Sequence, residues 1–508
     1  MNTDLWLKLQ NGSDIRGIAL DGIANEPVNL TADIANSIGQ AFALWLSQKL
    51  NIPLAQLRIS VGRDSRISGP LLTQSVCEGL LARQAQVTDF GLASTPAMFM
   101  STLVNEAQAK PGFHGAMMIT ASHLPFNRNG FKFFTDQGGL EKQDITQLLT
   151  LAATCAPMAC ESQASQLDFM ADYATGLVEK VREGIAHPLD YQQPLRGLKI
   201  LVDAGNGAGG FFVERVLKPL GADTTGSQFL DPDGAFPNHV PNPEDATAMQ
   251  SIRDAVLAHH ADFGIIFDTD VDRSAAVDHL GQELNRNRLI ALISAILLQQ
   301  HPGATIVTDS VTSDGLTDFI EGALKGKHHR FKRGYKNVIN EAIRLNQQGV
   351  LSPLAIETSG HAALKENHFL DDGAYLITKL LIELAKAKLQ QQSLGDLIAS
   401  LKEPVEDKEV RYVIRQDNFH AYGQGVLDAL SQFVAEQADW HLVPNNVEGL
   451  RVQCRSAEEQ GWFLLRLSLH DPVLALNIES DVEGGVAKIL GRLESFIARF
   501  NDLSLRGC

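Results

Sequence analysis

Three stretches of the chain share one pattern of apolar and polar positions. RISVGRDSR (58–66), LKILVDAGNGAGG (198–210) and ATIVTDSVTSDGL (304–316) each run from an apolar, β-branched segment into a turn of Asp, Gly and Ser, and amphipathic helical sequence follows. That order predicts strand, turn and helix, the opening unit of an α/β layer. Three copies predict three related α/β domains with mixed sheets. From about residue 404 the pattern changes. VEDKEVRYVIR, LRVQCR and WFLLRLSLHDPVLALNIES read as strands and EGGVAKILGRLESFIARF as a closing helix, so a fourth domain of α+β class is expected. The expected boundaries are 1–155, 156–284, 285–403 and 404–508.

The length, 508 residues, agrees with several domains, because one hydrophobic core does not grow to that size. A formal charge of −17 argues against a nucleic-acid or anionic-membrane binder, either of which needs a basic face. Any anionic ligand must then be captured by a local cluster of Arg and Lys. Five cysteines, Cys77, Cys155, Cys160, Cys454 and Cys508, are an odd number with no Cys-x-x-Cys spacing, which suits a reducing compartment. MNTDLWLKLQNGSD does not read as a signal peptide, and the apolar run LIALISAILL is too short to span a bilayer as a helix. A cytoplasmic globular protein is expected, with its assembly state left open.

Four places carry more polar chemistry than a fold requires. In GAMMITASHLPFNRNGFKFF, Ser122 follows the strand-like MMIT and precedes a Pro/Asn/Gly turn, which presents its hydroxyl at the carboxyl end of a strand, where ligands of α/β sheets bind. A Ser and Thr satisfying turn amides is the plainer account. In FGIIFDTDVDRSAAV an apolar strand ends in Asp268, Asp270 and Asp272, a crowding of like charges that a divalent cation on hard oxygen ligands relieves. The loop is not an EF-hand, since Arg273 stands at its sixth position and His279 at its twelfth. A solvated acidic turn is the alternative.

The third place, LAIETSGHAALKE, packs Glu357, Ser359 and His361 around Gly360, groups able to hold vicinal hydroxyls, or simply a loop beside a helix. Upstream, RFKRGYKNVI gathers Lys332, Arg333 and Lys336 in one basic turn. In the fourth, LLRLSLHDPVL, period-two spacing places Arg466, Ser468 and His470 on one face of a strand, as an oxyanion clamp or an ordinary half-exposed strand. Gly205, Gly207 and Gly210 match a dinucleotide fingerprint, but no strand-end acid follows at the right distance, and they read as a tight strand-helix turn.

Taken together, TASHLPFNRNGFK, DTDVDR, ETSGH and RLSLHDP, one per expected domain, resemble the α-D-phosphohexomutases, the phosphoglucomutase/phosphomannomutase superfamily. GSDIRG, GRDSR, VDAGNGAGG and VEGLRV extend the resemblance over essentially the whole chain. It implies four domains around a central cleft and interconversion of hexose 1-phosphate and hexose 6-phosphate, of glucose or mannose, through a phosphoserine and a hexose bisphosphate. Ser122 matches the phosphoserine, and Ser122, Asp268, Asp270 and Asp272 would hold Mg²⁺. Arg16 and Lys132 would flank the transferring group, with Lys132 or His123 exchanging the sugar proton and Arg273 close by. Lys332, Tyr335, Glu357, Ser359 and His361 would bind the sugar, and Arg466, Ser468 and His470 its phosphate. Hexose 1,6-bisphosphate would be the activator.

Departures fall where substrate is read. Leu124 stands in place of Asn, Ser13 of Tyr, Tyr335 of His, and His470-Asp471 of Thr-Glu or Thr-Thr, so the preferred sugar is not fixed by these motifs. ETSGH is nearest the Glu-Met-Ser-Gly-His of enzymes acting on both sugars and lacks the Gln of many phosphoglucosamine mutases. Two other readings remain: a metal-dependent phosphatase with an aspartyl phosphate, from the strand-end Asp-x-Asp, and a non-catalytic paralogue that binds sugar phosphates.

Overall fold

A computed structural model describes residues 3–103, 112–444, 446–468 and 471–505. Contacts divide the chain into two compact units, the first Met1–Asn285 with Ser359–Ala362 and Leu370–Leu394, the second Arg286–Thr358 with Ala363–Phe369 and Gly395–Cys508. The α/β class with mixed sheets appears as expected, and the C-terminal part is β-rich.

In the first unit, the leading sheet runs through strands Asp14–Ile18, Arg128–Thr135, Gly115–Ile119, Arg58–Arg63 and Gln86–Leu92 in that spatial order. The pairings of Arg128–Thr135 are antiparallel and those of Arg58–Arg63 parallel, so two topologies meet in one sheet. Strand Gly115–Ile119 is buried along its whole length, as a central strand covered on both faces must be. Its antiparallel register sets Met118 opposite Lys132, and the next places Arg16 opposite Gly130. Backbone pairing therefore brings Arg16 and Lys132 to one end of the strand that leads to Ser122.

A second sheet in this unit pairs Ile200–Asp203 parallel with Phe263–Phe267, which pairs antiparallel with Ser274–Asp278. The last two strands form a hairpin whose loop, Asp268 to Arg273, contains the three aspartates. The glycine-rich turn after Asp203 supports that loop. Gly205 is left-handed at φ +52, and a Cβ on Gly207 would stand 2.7 Å from the Thr269 carbonyl oxygen. The Ala208 amide donates to that same oxygen at 2.8 Å. These glycines serve close backbone packing, as the tight-turn reading expects. The segment that follows, Val213–Leu217, is a π-helical turn in place of the expected regular helix.

In the second unit, strands Lys327–Phe331, Thr305–Asp309 and Leu354–Ile356 are parallel neighbours, with helix Arg286–Gln300 ahead of them in the chain and the strongly amphipathic helix Tyr335–Gln347 connecting Lys327–Phe331 to Leu354–Ile356. Residues 406–505 form a six-stranded sheet whose pairings are antiparallel, with helices Phe419–Ala435 and Gly485–Ile497. Its core is Val426, Leu430, Phe463, Leu476, Ile489 and Phe496 with their neighbours.

One expectation is corrected here. WFLLRLSLHDPVLALNIES contains two strands, Gly461–Leu467 and Val473–Ser480, so Arg466 lies on the first strand and Ser468 just past its end. The chain turns because Pro472 has no amide to continue a ladder and the Ser468 hydroxyl accepts the Asp471 amide at 3.2 Å. His470 lies outside the described residues. No described helix is long and apolar enough to cross a membrane.

Adding a methyl group at Gly207 must displace backbone, so Gly207→Ala should destabilise the protein by about 1–3 kcal/mol. The urea unfolding midpoint measures this, and an unchanged midpoint would mean that the turn is not tightly packed.

Candidate active site

Ser122 lies past the end of strand Gly115–Ile119 with φ +50, a left-handed conformation uncommon outside glycine. Its amide donates to Thr120 Oγ1 at 2.8 Å, which closes a tight turn. Its hydroxyl donates to Asp268 Oδ2 at 2.9 Å and lies 3.2 Å from both Arg273 Nη2 and His123 Nδ1. Arg273 Nη2 also donates to His123 Nδ1 at 2.5 Å, so the imidazole accepts on that nitrogen. Burial, Arg273 and Arg16 press the His123 ring down to about 3, and it is neutral at physiological pH.

Asp268, Asp270 and Asp272 are closed off from water, and an oxygen of each lies within 4.8 Å of the others. Between the last two, Val271 takes φ +67, a costly conformation for a β-branched residue. Its carbonyl accepts the Gly373 amide at 3.1 Å, and a Cβ on Gly373 would stand 2.7 Å from the Arg273 carbonyl carbon. The strained loop is thus held by a helix that begins more than a hundred residues later.

Cations offset part of the acidic charge. Lys132 Nζ bonds Asp270 Oδ2 at 2.9 Å and also bonds Asp272 Oδ2, while Arg273 Nε lies 3.2 Å from Asp268 Oδ2. Burial works against the Lys132 charge, but Asp270 and Asp272 outweigh it and hold the amine well above its usual range. Burial pushes Asp272 up in turn, and Lys132, His361 and Arg273 more than reverse it, whereas Asp268 is driven up by burial and by the other two carboxylates. His361 Nδ1 lies 2.6 Å from Asp371 Oδ2, and Asp371 with Asp272 overcomes burial to raise the imidazole to about 9. Arg16 donates to the Thr120 carbonyl at 2.9 Å and to Asp14 at 2.8 Å.

Oδ1 of Asp270 and Oδ1 of Asp272 are buried and lack a hydrogen-bond partner among the described residues. Orphaned carboxylate oxygens facing an all-oxygen donor set suit a small, hard divalent cation. Asp272, His361 and Asp371 form a second acidic group that shares Asp272.

The second unit holds Lys332, Tyr335, Glu357, Arg466 and Ser468. Glu357 accepts the Gly334 amide at 2.6 Å, just ahead of Tyr335 at the start of its helix, and Lys332 is exposed. The Arg333 amide donates to Glu448 at 3.1 Å, and its guanidinium is 3.9 Å from buried Asp309, which also accepts from Thr358 at 2.7 Å. Arg466 Nε is buried without a hydrogen-bond partner among the described residues. Desolvation, and next the neighbouring Arg333, lower its pKa, the response of a cation short of anions. Ser359 and His361 belong to the first unit and Glu357 to the second, so the ETSGH motif is divided between them.

Residues 8–154, 163–281 and 285–404 match domains I, II and III described as phosphoglucomutase/phosphomannomutase, alpha/beta/alpha. The chain belongs to the phosphoglucomutase/phosphomannomutase family. Among its relatives is a phosphomannomutase/phosphoglucomutase of Pseudomonas putida, 29% identical, with 90% of this chain and 92% of that one covered. A phosphoglucomutase of Neisseria meningitidis is 28% identical with 95% of each chain covered. A crystal structure of a phosphoglucomutase/phosphomannomutase family protein from Burkholderia thailandensis is 27% identical, covers 99% of both chains and superposes with a TM-score of 0.77.

Members of this family are isomerases that act as phosphotransferases. Several groups at the site escaped the sequence reading. Thr95 donates to Asp270 at 2.5 Å, Asn242 accepts from Arg273 at 3.0 Å, and Glu244 lies 3.7 Å from the same guanidinium. Their local sequence is unremarkable for such roles; Asp371 alone had a signal, a pair of acids ahead of a glycine-led apolar helix.

Asp270→Asn removes one hard ligand and one charge. The Mg²⁺ concentration giving half-maximal thermal stabilisation should rise by about tenfold or more. A variant that titrates like the parent would leave the three aspartates as an ordinary charged loop.

Proposed function

We propose that this family member interconverts hexose 1-phosphate and hexose 6-phosphate through a phosphoserine at Ser122 and a bisphosphate intermediate, acting on glucose or mannose phosphates. The observation that carries the reading is the setting of the Ser122 hydroxyl, within hydrogen-bond distance of Asp268, Arg273 and His123 on a strained turn. A structural serine has no use for that convergence.

The Ser122 phosphoryl passes to the free hydroxyl of the sugar phosphate, whose proton goes to a base. The bisphosphate turns over, and its other phosphoryl returns to Ser122, so the net change is an isomerisation. Phosphoryl transfer asks mainly for alignment and neutral surroundings for crowded anions. Arg273 and Arg16 supply charge beside the serine, and Lys132 or His123 would exchange the sugar proton, Lys132 from its seat on two carboxylates and His123 from 3.2 Å off the serine oxygen. Mg²⁺ bound by Asp268, Asp270, Asp272 and the phosphoserine would supply Lewis acidity toward that phosphoryl group.

Glu357, Ser359 and His361 would hold sugar hydroxyls, with Lys332 and Tyr335 from the basic turn. Arg466 and Ser468 would hold the phosphate that is not reacting, and the buried, unpartnered Nε of Arg466 supports that role. Hexose 1,6-bisphosphate would restore phosphoenzyme that has lost its group. We place the four domains at 1–155, 156–284, 285–403 and 404–508, and the protein in the cytoplasm, a compartment its free thiols at Cys77, Cys155, Cys160 and Cys454 fit.

Intact protein should carry a population heavier by one phosphoryl group at Ser122, stable to hydroxylamine and labile to alkali. The opposite lability would indicate an aspartyl phosphate. Ser122→Ala should keep its fold and lose nearly all turnover of glucose, mannose and glucosamine phosphates; binding by the parent without turnover would indicate a non-catalytic paralogue.

Arg466→Ala should weaken substrate binding by roughly 2–5 kcal/mol, as expected for a desolvated bidentate partner. Michaelis constants equal to the parent's would remove Arg466 from phosphate recognition.

A further inference from the structure

Arg66 is a charged side chain with no exposure to solvent, and the reaction outlined above makes no use of it. It follows strand Arg58–Arg63 in the GRDSR turn. Nη1 donates to the carbonyl oxygens of Pro125 at 2.8 Å and Arg128 at 2.9 Å, and Nη2 to those of Ser122 and Leu124, both at 2.5 Å. Three of the acceptors lie in the loop that begins at Ser122, and the fourth, Arg128, is the first residue of the strand that follows it. Converging carbonyl dipoles repel one another unless a cation sits at their focus, and a planar guanidinium has the donor fork to serve several at once.

The guanidinium is itself aimed. Asp64 Oδ2 is 3.4 Å from Arg66 Nε, and Asp64 Oδ1 accepts the Arg66 amide at 2.9 Å. The Asp64 amide donates to the Ile119 carbonyl at 3.1 Å, which fastens the GRDSR turn to the end of the strand that leads to Ser122. On another side the Phe236 ring lies 5.2 Å from the guanidinium carbon, and a Cβ on Gly234 would come within 2.3 Å of the Ile67 nitrogen. Arg66 therefore sits in a rigid seat made by three segments.

We propose that Arg66 is a positioning residue for phosphoryl transfer, gathering the carbonyls of Ser122, Leu124, Pro125 and Arg128 so that the left-handed turn holds the Ser122 hydroxyl on Asp268, Arg273 and His123. This rests on Ser122 being the phosphoryl carrier. Without the guanidinium, those carbonyls gain by rotating toward water, and the unfavourable φ of Ser122 loses what enforces it. Arg66 has no path to substrate, so its loss should act on the transfer step and leave recognition alone. Lysine keeps the charge but presents its donors from a single nitrogen, and it should not rescue.

The test compares full-length parent, Arg66→Lys and Asp64→Asn. Phosphoenzyme prepared with glucose 1,6-bisphosphate is mixed with glucose 1-phosphate in single turnover, alongside steady-state kinetics, thermal melting and hydrogen exchange of the peptide spanning residues 120–131. In Arg66→Lys, transfer should slow by about a hundredfold, the consequence of a misplaced nucleophile. Its Michaelis constant should stay within about twofold of the parent's, since uniform binding is untouched. Exchange should quicken in the 120–131 peptide and not in strand Ile200–Asp203. Transfer at the parental rate in folded Arg66→Lys, or a loss no larger than the loss of folded protein, overturns the proposal. Should Arg66→Lys not fold, Asp64→Asn decides, because it keeps the guanidinium and removes the charge that aims it: transfer about tenfold slower supports the proposal and a parental rate overturns it. A parent that neither carries phosphoserine nor turns over substrate sinks the functional reading and this inference with it, whereas an active parent beside an equally active variant sinks the inference alone.

Discussion

Three carboxylates shut away from water in one hairpin loop are the constraint around which the first unit is arranged. At an effective dielectric near 20, two like charges about 4 Å apart repel by roughly 4 kcal/mol, and each buried ion also loses its hydration. Asp268, Asp270 and Asp272 cannot persist on those terms alone. Lys132, Arg273 and the His361 imidazolium answer part of the charge, and two oxygens are still left over. Buried carboxylate oxygens that still lack a partner among the described residues, beside these cations, suit a further, small and hard one. The same electrostatics would make a phosphoserine tolerable beside it, since a bound divalent cation would turn an acidic loop into an anion partner.

Holding that arrangement costs the backbone. Val271 and Ser122 both occupy left-handed conformations that side chains disfavour, at about 1–3 kcal/mol each. Ser122 is held in part by its own neighbour Thr120, whereas Val271 is held from afar. Val271 is tied through its carbonyl to Gly373, and the loop rests on the glycine turn at Gly207. Two residues of the candidate site are therefore strained, and the strain at Val271 is carried by distant, densely packed segments.

The sequence is legible where one short segment contains both an element and its chemistry. Strand endings at Ser122 and Asp268 follow from apolar runs that meet turn residues, and the three glycines after Asp203 announce a tight turn without a nucleotide. Partners supplied from afar leave no such trace. Thr95 reaches Asp270 across 175 positions, and Asn242 reaches Arg273 from a loop without periodicity. Alternation also misleads when a hairpin interrupts it: Arg466 and Ser468 keep period-two spacing, yet the strand ends between them, because a serine hydroxyl and a proline can turn a chain whose hydrophobic pattern continues on both sides. In ETSGH, five consecutive residues are shared between two compact units, a division that no pattern of side chains records.

The cations of the two units are held differently, and the difference matches what each is asked to do. Lys132 and Arg273 are fixed on carboxylates, and Arg273 touches the serine hydroxyl directly, so little reorganisation is needed when charge shifts there. Burial and the nearby Arg333 lower the Arg466 pKa, with Glu448, Glu409 and Asp309 as partial counterweights, and among the described residues Arg466 keeps a buried donor unsatisfied. An anion arriving between Arg333 and Arg466 would relieve their repulsion, so a substrate phosphate bound there would gain both its own contacts and that release. A chain of net charge −17 can bind anions on such terms, because distant surface charge is screened beyond about 8–10 Å at physiological ionic strength while two partly buried arginines are screened much less. Local charge density, set by burial and by which partners each cation already has, decides what this acidic protein attracts.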